Sequence, residues 1–131
     1  LMKLSIKCHD GLEKHSDLTK DFLKNFNNDI KEMVECAKSF KPIDYAKYAS
    51  QIFSAISNQD LNARRLIETE VVLIEKSLIA SGFSEQKPFC LLGGLGKLFL
   101  PYLRDIFVRS ISEPKGDALN GAISIGKREF L

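Results

Sequence analysis

The spacing of apolar residues predicts that the chain is mostly helical. Apolar side chains recur every three or four positions in five stretches, which is the period of a helix that buries one face. The predicted helices cover roughly residues 1–9, 18–26, 30–37, 43–56 and 61–80. The last is the longest, and its other face mixes acidic and basic residues, which is typical of a helix face exposed to solvent.

Residues that favour helix ends support these boundaries. Ser16-Asp17 and the turn at 58–60, which ends in Asp60, supply side-chain oxygens that can accept hydrogen bonds from the amides of a first helical turn. Pro42 suits the start of a helix because its ring fixes a helical φ. Gly82 suits the left-handed residue that ends the longest helix.

The pattern changes after Pro88. Four apolar residues, 89–92, lie between this proline and Gly93-Gly94, and such a run predicts a short buried strand. A second apolar run at 106–112 predicts another strand. Pro101 falls inside the helical pattern between them, so it is expected to kink that helix or to begin a second one. A turn at 114–117 and a last helix at 118–127 follow. The predicted fold class is therefore α/β, mostly helical, with a small sheet.

The stretch from Gly93 to Phe99 is the main candidate for a ligand site. Two glycines permit a turn that residues with a Cβ would resist, and the amides of a following helix would favour an anion or polar ligand. It is not a phosphate-binding Walker loop, because Leu91 and Leu98 occupy positions that need Gly and Ser or Thr. It is not a dinucleotide fingerprint, because Phe99 replaces the third glycine. A turn that only packs is the simpler interpretation.

Composition and charge narrow the class of protein. The 131 residues are 44% hydrophobic and 27% charged, with a net charge of +2, which is ordinary for one soluble globular domain. The basic residues form no stripe of the kind that nucleic acid requires, and no apolar run approaches a membrane span. Cys8, Cys36 and Cys90 lie far apart and are odd in number, so we expect reduced thiols and a cytoplasmic location.

One local group of residues has the chemistry of metal ligands. Cys8, His9, Asp10 and His15 lie close together in the sequence. Gly11 breaks their helical register, and no second pair of ligands follows at a defined spacing. The preferred interpretation is a solvated helix end and turn, with no metal site.

Two motifs resemble a known family. Leu-Leu-Gly-Gly-Leu at 91–95 is followed, about twenty residues later, by Glu-Pro-Lys-Gly-Asp-Ala-Leu-Asn-Gly-Ala at 113–122. Together they are similar to the C-terminal signature of N-acetylglucosamine and glucosamine kinases. These kinases belong to the BadF/BadG/BcrA/BcrD ATPase family, within the actin-like ATPase, sugar kinase and Hsp70 superfamily. The resemblance extends over nearly the whole chain.

The resemblance implies that residues 1–131 are an incomplete RNase H-like, nucleotide-binding C-terminal lobe. ATP and an amino sugar would bind between this lobe and an N-terminal lobe of the same protein, and a homodimer is compatible with the family. Gly93, Gly94 and Leu95 would contact adenosine, and residues 114–122 would pack behind their turn. The catalytic base and the Mg²⁺ ligands would belong to the N-terminal lobe. The chain begins with Leu, and we therefore expect a fragment. Because the catalytic groups and part of the sheet would lie outside it, we expect it to be inactive alone and to lack some sheet neighbours.

Two other functions are compatible with the sequence. One is an ATPase activator of a dehydratase or reductase, in which cysteines of two subunits hold an iron–sulfur cluster. Cys36 and Cys90 do not lie in a local pattern typical of cluster ligands, which argues against it. The other is a regulatory module that binds nucleotide or sugar without catalysis.

Overall fold

The computed structural model describes residues 1–130 and consists mainly of helices. The helices are α1 (Met2–His9), α2 (Asp17–Lys24), α3 (Ile30–Ser39), α4 (Pro42–Ala46), α5 (Ala49–Ser57), α6 (Leu61–Ala80), α7 (Gly96–Phe99), α8 (Asp105–Val108) and α9 (Ala118–Phe130). The chain divides into two compact units, unit 1 from Leu1 to Val72 and unit 2 from Leu73 onward. None of the helices in the described part of the chain combines the length and hydrophobicity needed to cross a membrane.

The predicted cap of α6 is confirmed, and Ser16 stands at the start of α2, as expected. The backbone amide of Ser16 donates to Thr19 Oγ1 at 2.9 Å, and the Thr19 hydroxyl donates to the Ser16 carbonyl at 3.0 Å. Asp60 Oδ1 accepts from the amides of Asn62 and Ala63, each at 2.9 Å. Gly82 has a φ of +81° and ends α6, as the glycine cap predicted.

The single helix predicted for residues 43–56 is wrong, because this segment forms α4 and α5 with a turn between them. Pro42 begins α4, as expected. Tyr45 packs on Phe40 with a centroid distance of 5.4 Å, whereas Tyr48 packs edge-on against Phe22 at 4.8 Å. We attribute the break to these ring contacts, because the two tyrosines pack on different rings.

Unit 1 has a well-formed core. Nine hydrophobic side chains of this unit are buried, namely Cys8, Leu18, Phe22, Leu23, Phe26, Met33, Ala63, Ile67 and Val71. Phe22 is fully buried and packs on Phe26 at 5.3 Å and on Tyr48. The periodic apolar positions of α2 and α6 thus face inward, as predicted, whereas in α3 Met33 is buried and Val34 is exposed.

The two predicted strands are wrong as extended strands. Within residues 1–130, the β-structure is one parallel bridge between Phe89 and Ile111. The Phe89 amide donates to the Ser110 carbonyl at 3.0 Å, and the Ser112 amide donates to the Phe89 carbonyl at 2.9 Å. Residues 105–108 form α8 instead. Short apolar runs suit a buried helical turn as well as a strand, and periodicity alone does not separate them.

The centre of unit 2 is small. Leu103 and Phe107 are its buried hydrophobic residues within the described part of the chain. Phe83 packs on Phe107 at 4.7 Å and on Phe89 at 5.9 Å, so it joins the end of α6 to the bridge and to α8.

The helical pattern around Pro101 is interrupted, as predicted. The four-residue α7 ends at Phe99, and a 3₁₀ turn, Leu100–Tyr102, follows. Asp117 caps α9 through a hydrogen bond from the Asn120 amide to Oδ1 at 2.8 Å. Leu119, Ile123 and Phe130 of α9 are exposed. Whether unit 2 belongs to an RNase H-like lobe stays a prediction, since helices and one bridge do not define a sheet order.

Candidate functional site

The Gly93-Gly94-Leu95 stretch forms an exposed turn in unit 2. Gly93 has a φ of +83°, in the left-handed region that favours glycine. The Gly96 amide donates to the Gly93 carbonyl at 3.3 Å and closes the turn. A Cβ added at Gly94 would meet no atom within 4 Å. The sequence interpretation is thereby refined, because Gly93 needs glycine for its backbone angles and Gly94 faces open space.

The backbone of this turn has free hydrogen-bonding capacity. In the described part of the chain, the amides of Gly94 and Leu95 donate no hydrogen bond, and the Leu95 carbonyl accepts from Leu98 at 3.0 Å. The helix that follows, α7, has only four residues. So short a helix aligns few peptide dipoles, so its N-terminus adds little to the attraction of an anion. The turn therefore presents the unbonded amides of Gly94 and Leu95, with open space beside the Gly94 Cα in which a ligand could lie.

Two features of unit 2 hold the elements around this turn. The Phe89–Ile111 bridge fixes the chain just before the turn. The buried Glu75 of α6 accepts from the backbone amide of Arg104 at 2.9 Å and from its Nε at 2.6 Å. The Arg104 guanidinium also lies 5.2 Å from the centroid of the Phe107 ring. These contacts tie α6 to the start of α8.

The segment at 114–122 does not pack behind the turn as the resemblance implied. Every residue from Pro114 to Ala122 is exposed. Gly116 approaches Asn120 within its own turn, where an added Cβ would lie 2.9 Å from Asn120 Cβ. The motif therefore makes a tight, capped start for α9, and it buries no face against its surroundings within the described residues.

Unit 1 contains a separate open groove of about 1500 Å³. Its walls come from the turn between α1 and α2, from α2 and α5, and from the start of α6. Glu13 and Arg65, which both line the groove, form a bidentate pair at 2.7 and 2.9 Å. Asn62 Nδ2 donates to the Lys14 carbonyl at 2.9 Å. These contacts fix the turn between α1 and α2 onto α6.

Asp60 stands where the first turns of α2 and α6 meet. Its Oδ2 accepts from the Leu18 amide at 3.0 Å, while Oδ1 accepts from Asn62 and Ala63. Burial alone raises the pKa of Asp60, but its hydrogen bonds, of which those from the Leu18 and Ala63 amides contribute most, hold the pKa below its ordinary value. A carboxylate already occupies the position that an anion would take, so the groove does not favour a nucleotide phosphate.

Two of the residues considered as metal ligands have other partners. Cys8 Sγ donates to the Lys14 carbonyl at 3.4 Å, and His15 Nδ1 lies 3.2 Å from Thr19 Oγ1. Burial raises the pKa of the Cys8 thiol. Cys36 lies in unit 1 and Cys90 in unit 2. Among residues 1–130, no three His, Cys, Asp or Glu side chains are grouped to hold a metal ion.

Sequence reasoning missed the contacts that three residues make with distant parts of the chain or across the turn. Glu75 is one of the charged residues of α6, whose mixed-charge face was predicted to be exposed, yet it is buried. Asp60 was predicted as a cap for α6 alone, whereas it also binds α2. Gly96 was considered only for its place in glycine motifs, although it makes the closest backbone approach in the turn. No local signal marks the second contact of Asp60 or the burial of Glu75, because each depends on a residue far along the chain.

Comparison with known proteins gives one relative that spans the chain. Over 130 residues, the chain is 30% identical to a protein of Vibrio cholerae serotype O1 named glucosamine kinase GspK. The match takes in 98% of this chain and 44% of the relative, so the chain spans less than half of that protein's length. No protein-family profile and no solved structure matches. The chain is therefore related to a glucosamine kinase over nearly its whole length.

Proposed function

We propose that the chain is the ATP-binding lobe of an amino-sugar kinase of the BadF/BadG/BcrA/BcrD type. The reaction transfers the γ-phosphate of ATP to a hydroxyl of glucosamine or N-acetylglucosamine. The observation that carries the proposal is the 30% identity to a glucosamine kinase across 98% of the chain. The match includes both motifs that resemble the C-terminal signature of such kinases.

In this proposal, adenosine binds at Gly93, Gly94 and Leu95. The free amides of Gly94 and Leu95, and the open space at the Gly94 Cα, support this role because they allow a ligand to approach the backbone. Mg²⁺ accompanies ATP, and its ligands and the base for the sugar hydroxyl belong to a lobe outside this chain. Because the proposal assigns these groups to the other lobe, the chain alone is expected to lack kinase activity.

The test is Gly94→Val, with ATP and glucosamine binding measured by calorimetry in the complete protein. Because an added Cβ at Gly94 meets no protein atom within 4 Å, the variant should melt like the wild type. ATP affinity should fall by about tenfold or more, equivalent to roughly 1.4 kcal/mol, because the side chain occupies the ligand's space. Glucosamine affinity should not change.

Gly126→Val is the matched control. Gly126 lies in α9, and an added Cβ there also meets no atom within 4 Å. It should leave the affinities for ATP and glucosamine unchanged. Unaltered ATP affinity in a folded Gly94→Val variant would mean that the turn serves packing only, and the adenosine assignment would be withdrawn.

A further inference from the structure

Gly96 differs from the other glycines of the turn in what surrounds its Cα. A Cβ added at Gly96 would lie 3.1 Å from Leu91 Cβ and 3.4 Å from the Leu91 carbonyl carbon. The same addition at Gly93 or Gly94 would meet nothing within 4 Å. Gly96 is therefore the position at which the chain returns to within contact distance of the segment that precedes the turn.

The Leu91 side of this contact has little freedom to move. The atoms nearest to Gly96 are the Cβ and backbone of Leu91, which cannot rotate away as the end of a long side chain can. Two residues earlier, Phe89 is held by hydrogen bonds to Ser110 and from Ser112. A Cβ at Gly96 must therefore be accommodated mainly by displacement of α7 and of the turn that leads into it.

We propose that Gly96 is a positioning residue for ligand binding at the turn. Its contact with Leu91 sets the path of residues 93–95 and thereby the direction of the Gly94 and Leu95 amides. This inference rests on the proposed nucleotide function, because it concerns the same site. Gly96 itself need not touch the ligand.

The experiment introduces Gly96→Ala, Gly96→Val and the control Gly126→Ala separately into this chain and into the complete protein. Each variant is compared with the corresponding wild type. The first readout is the pair of amide resonances of Gly94 and Leu95 in ¹⁵N-labelled chain without ligand. We expect both to shift in the Gly96 variants, more for Val than for Ala, and to stay in place in Gly126→Ala. The second readout is ATP affinity, which should fall about threefold to tenfold in the Gly96 variants.

Rescue separates positioning from a general loss of stability. Leu91→Gly removes the Cβ that Gly96→Ala would meet, so the double variant should regain most of the ATP affinity lost in Gly96→Ala. Unmoved Gly94 and Leu95 resonances in both Gly96 variants, or the absence of any rescue, would overturn the proposal. If the wild-type protein does not bind ATP, the proposed nucleotide function is overturned instead. The Gly94 and Leu95 resonances would still show whether Gly96 sets the path of the turn.

Discussion

The two units differ in how many of their apolar side chains they bury. Unit 1 buries nine hydrophobic side chains, whereas the described part of unit 2 buries two. Unit 2 also leaves more of its large apolar side chains exposed, among them Leu92 at 71% and Phe130 at 85%. Single exposed leucines are normal, but a whole unit with so few buried residues gains little from the hydrophobic effect.

The difference shows that segments close together in the sequence complete the core of unit 1 but do not cover the apolar residues of unit 2. In unit 1, helices close in sequence supply each other's neighbours, and the core of Phe22, Leu23, Phe26 and Met33 closes within a few turns of chain. In unit 2, the amphipathic α9 finds no equivalent cover in the described residues. This agrees with our proposal that unit 2 works with another lobe of a kinase, which would cover part of its apolar surface.

The largest expected effect is that of removing a ring from the core of unit 1. Phe22→Ala should reduce the free energy of unfolding by about 3–5 kcal/mol, because it leaves a cavity among Phe26, Tyr48 and their neighbours. Phe107→Ala in unit 2 should cost less, since a small core can collapse around the missing ring. Urea denaturation followed by circular dichroism gives both values. An equal or larger cost for Phe107→Ala would contradict the contrast between the units.

The next effect concerns the polar link within unit 1. Asp60→Ala should cost about 2 kcal/mol, because three amides of α2 and α6 lose their acceptor. Asp29→Ala is the matched control, since Asp29 accepts from Lys31 within its own helix α3, and it should cost about 1 kcal/mol. Similar losses for the two variants would show that the Asp60–Leu18 contact adds nothing.

Acidification should act on the same carboxylate. The pKa of Asp60 is lower in the folded chain than its ordinary value, so its charge contributes stability above about pH 4, the unfolded pKa. This contribution is lost as pH falls through the folded pKa. The stability difference between wild type and Asp60→Asn should therefore shrink below about pH 4, as measured by urea titrations at several pH values. A difference that stays constant down to pH 2 would contradict this assignment.

Unit 2 has a polar link of its own, with a smaller expected effect. Glu75→Ala should cost about 1–2 kcal/mol, because the Arg104 amide and Nε lose a common acceptor while much of the Arg104 side chain remains exposed. Hydrogen exchange should show faster opening of α8 and unchanged rates in α2. The control is Glu68→Ala, an exposed position on α6. Faster exchange in α2 or unchanged exchange in α8 would contradict the link.

The smallest expected effect is a gain in stability. Ser5 is fully buried in α1, and its hydroxyl has no hydrogen-bond partner among the described residues. Ser5→Ala removes a desolvated polar group and adds a better helix former, so stability should rise by about 0.5–1 kcal/mol. A thermal melt of the variant beside the wild type measures this. A clear loss would show that the hydroxyl finds a partner in solution.

The sequence by itself determined α1, α2, α3 and the ends of α6. Periodic apolar residues identify buried faces, and Ser16, Asp60 and Gly82 act through hydrogen bonds or backbone angles that span only a few residues. The turn at Gly93-Gly94 could also be read locally, because a glycine at positive φ needs no distant partner. The relationship to a glucosamine kinase followed from motifs of the same local kind.

Only the tertiary structure decided the rest. Whether residues 106–112 form a strand or a helix depended on the packing of Phe107 against Phe83, and the break between α4 and α5 accompanied ring contacts with Phe22 and Phe40. The burial of Glu75 required Arg104, and the close approach at Gly96 required Leu91. Apolar pattern and turn residues report short-range preferences, whereas these features arise where segments distant along the chain come into contact.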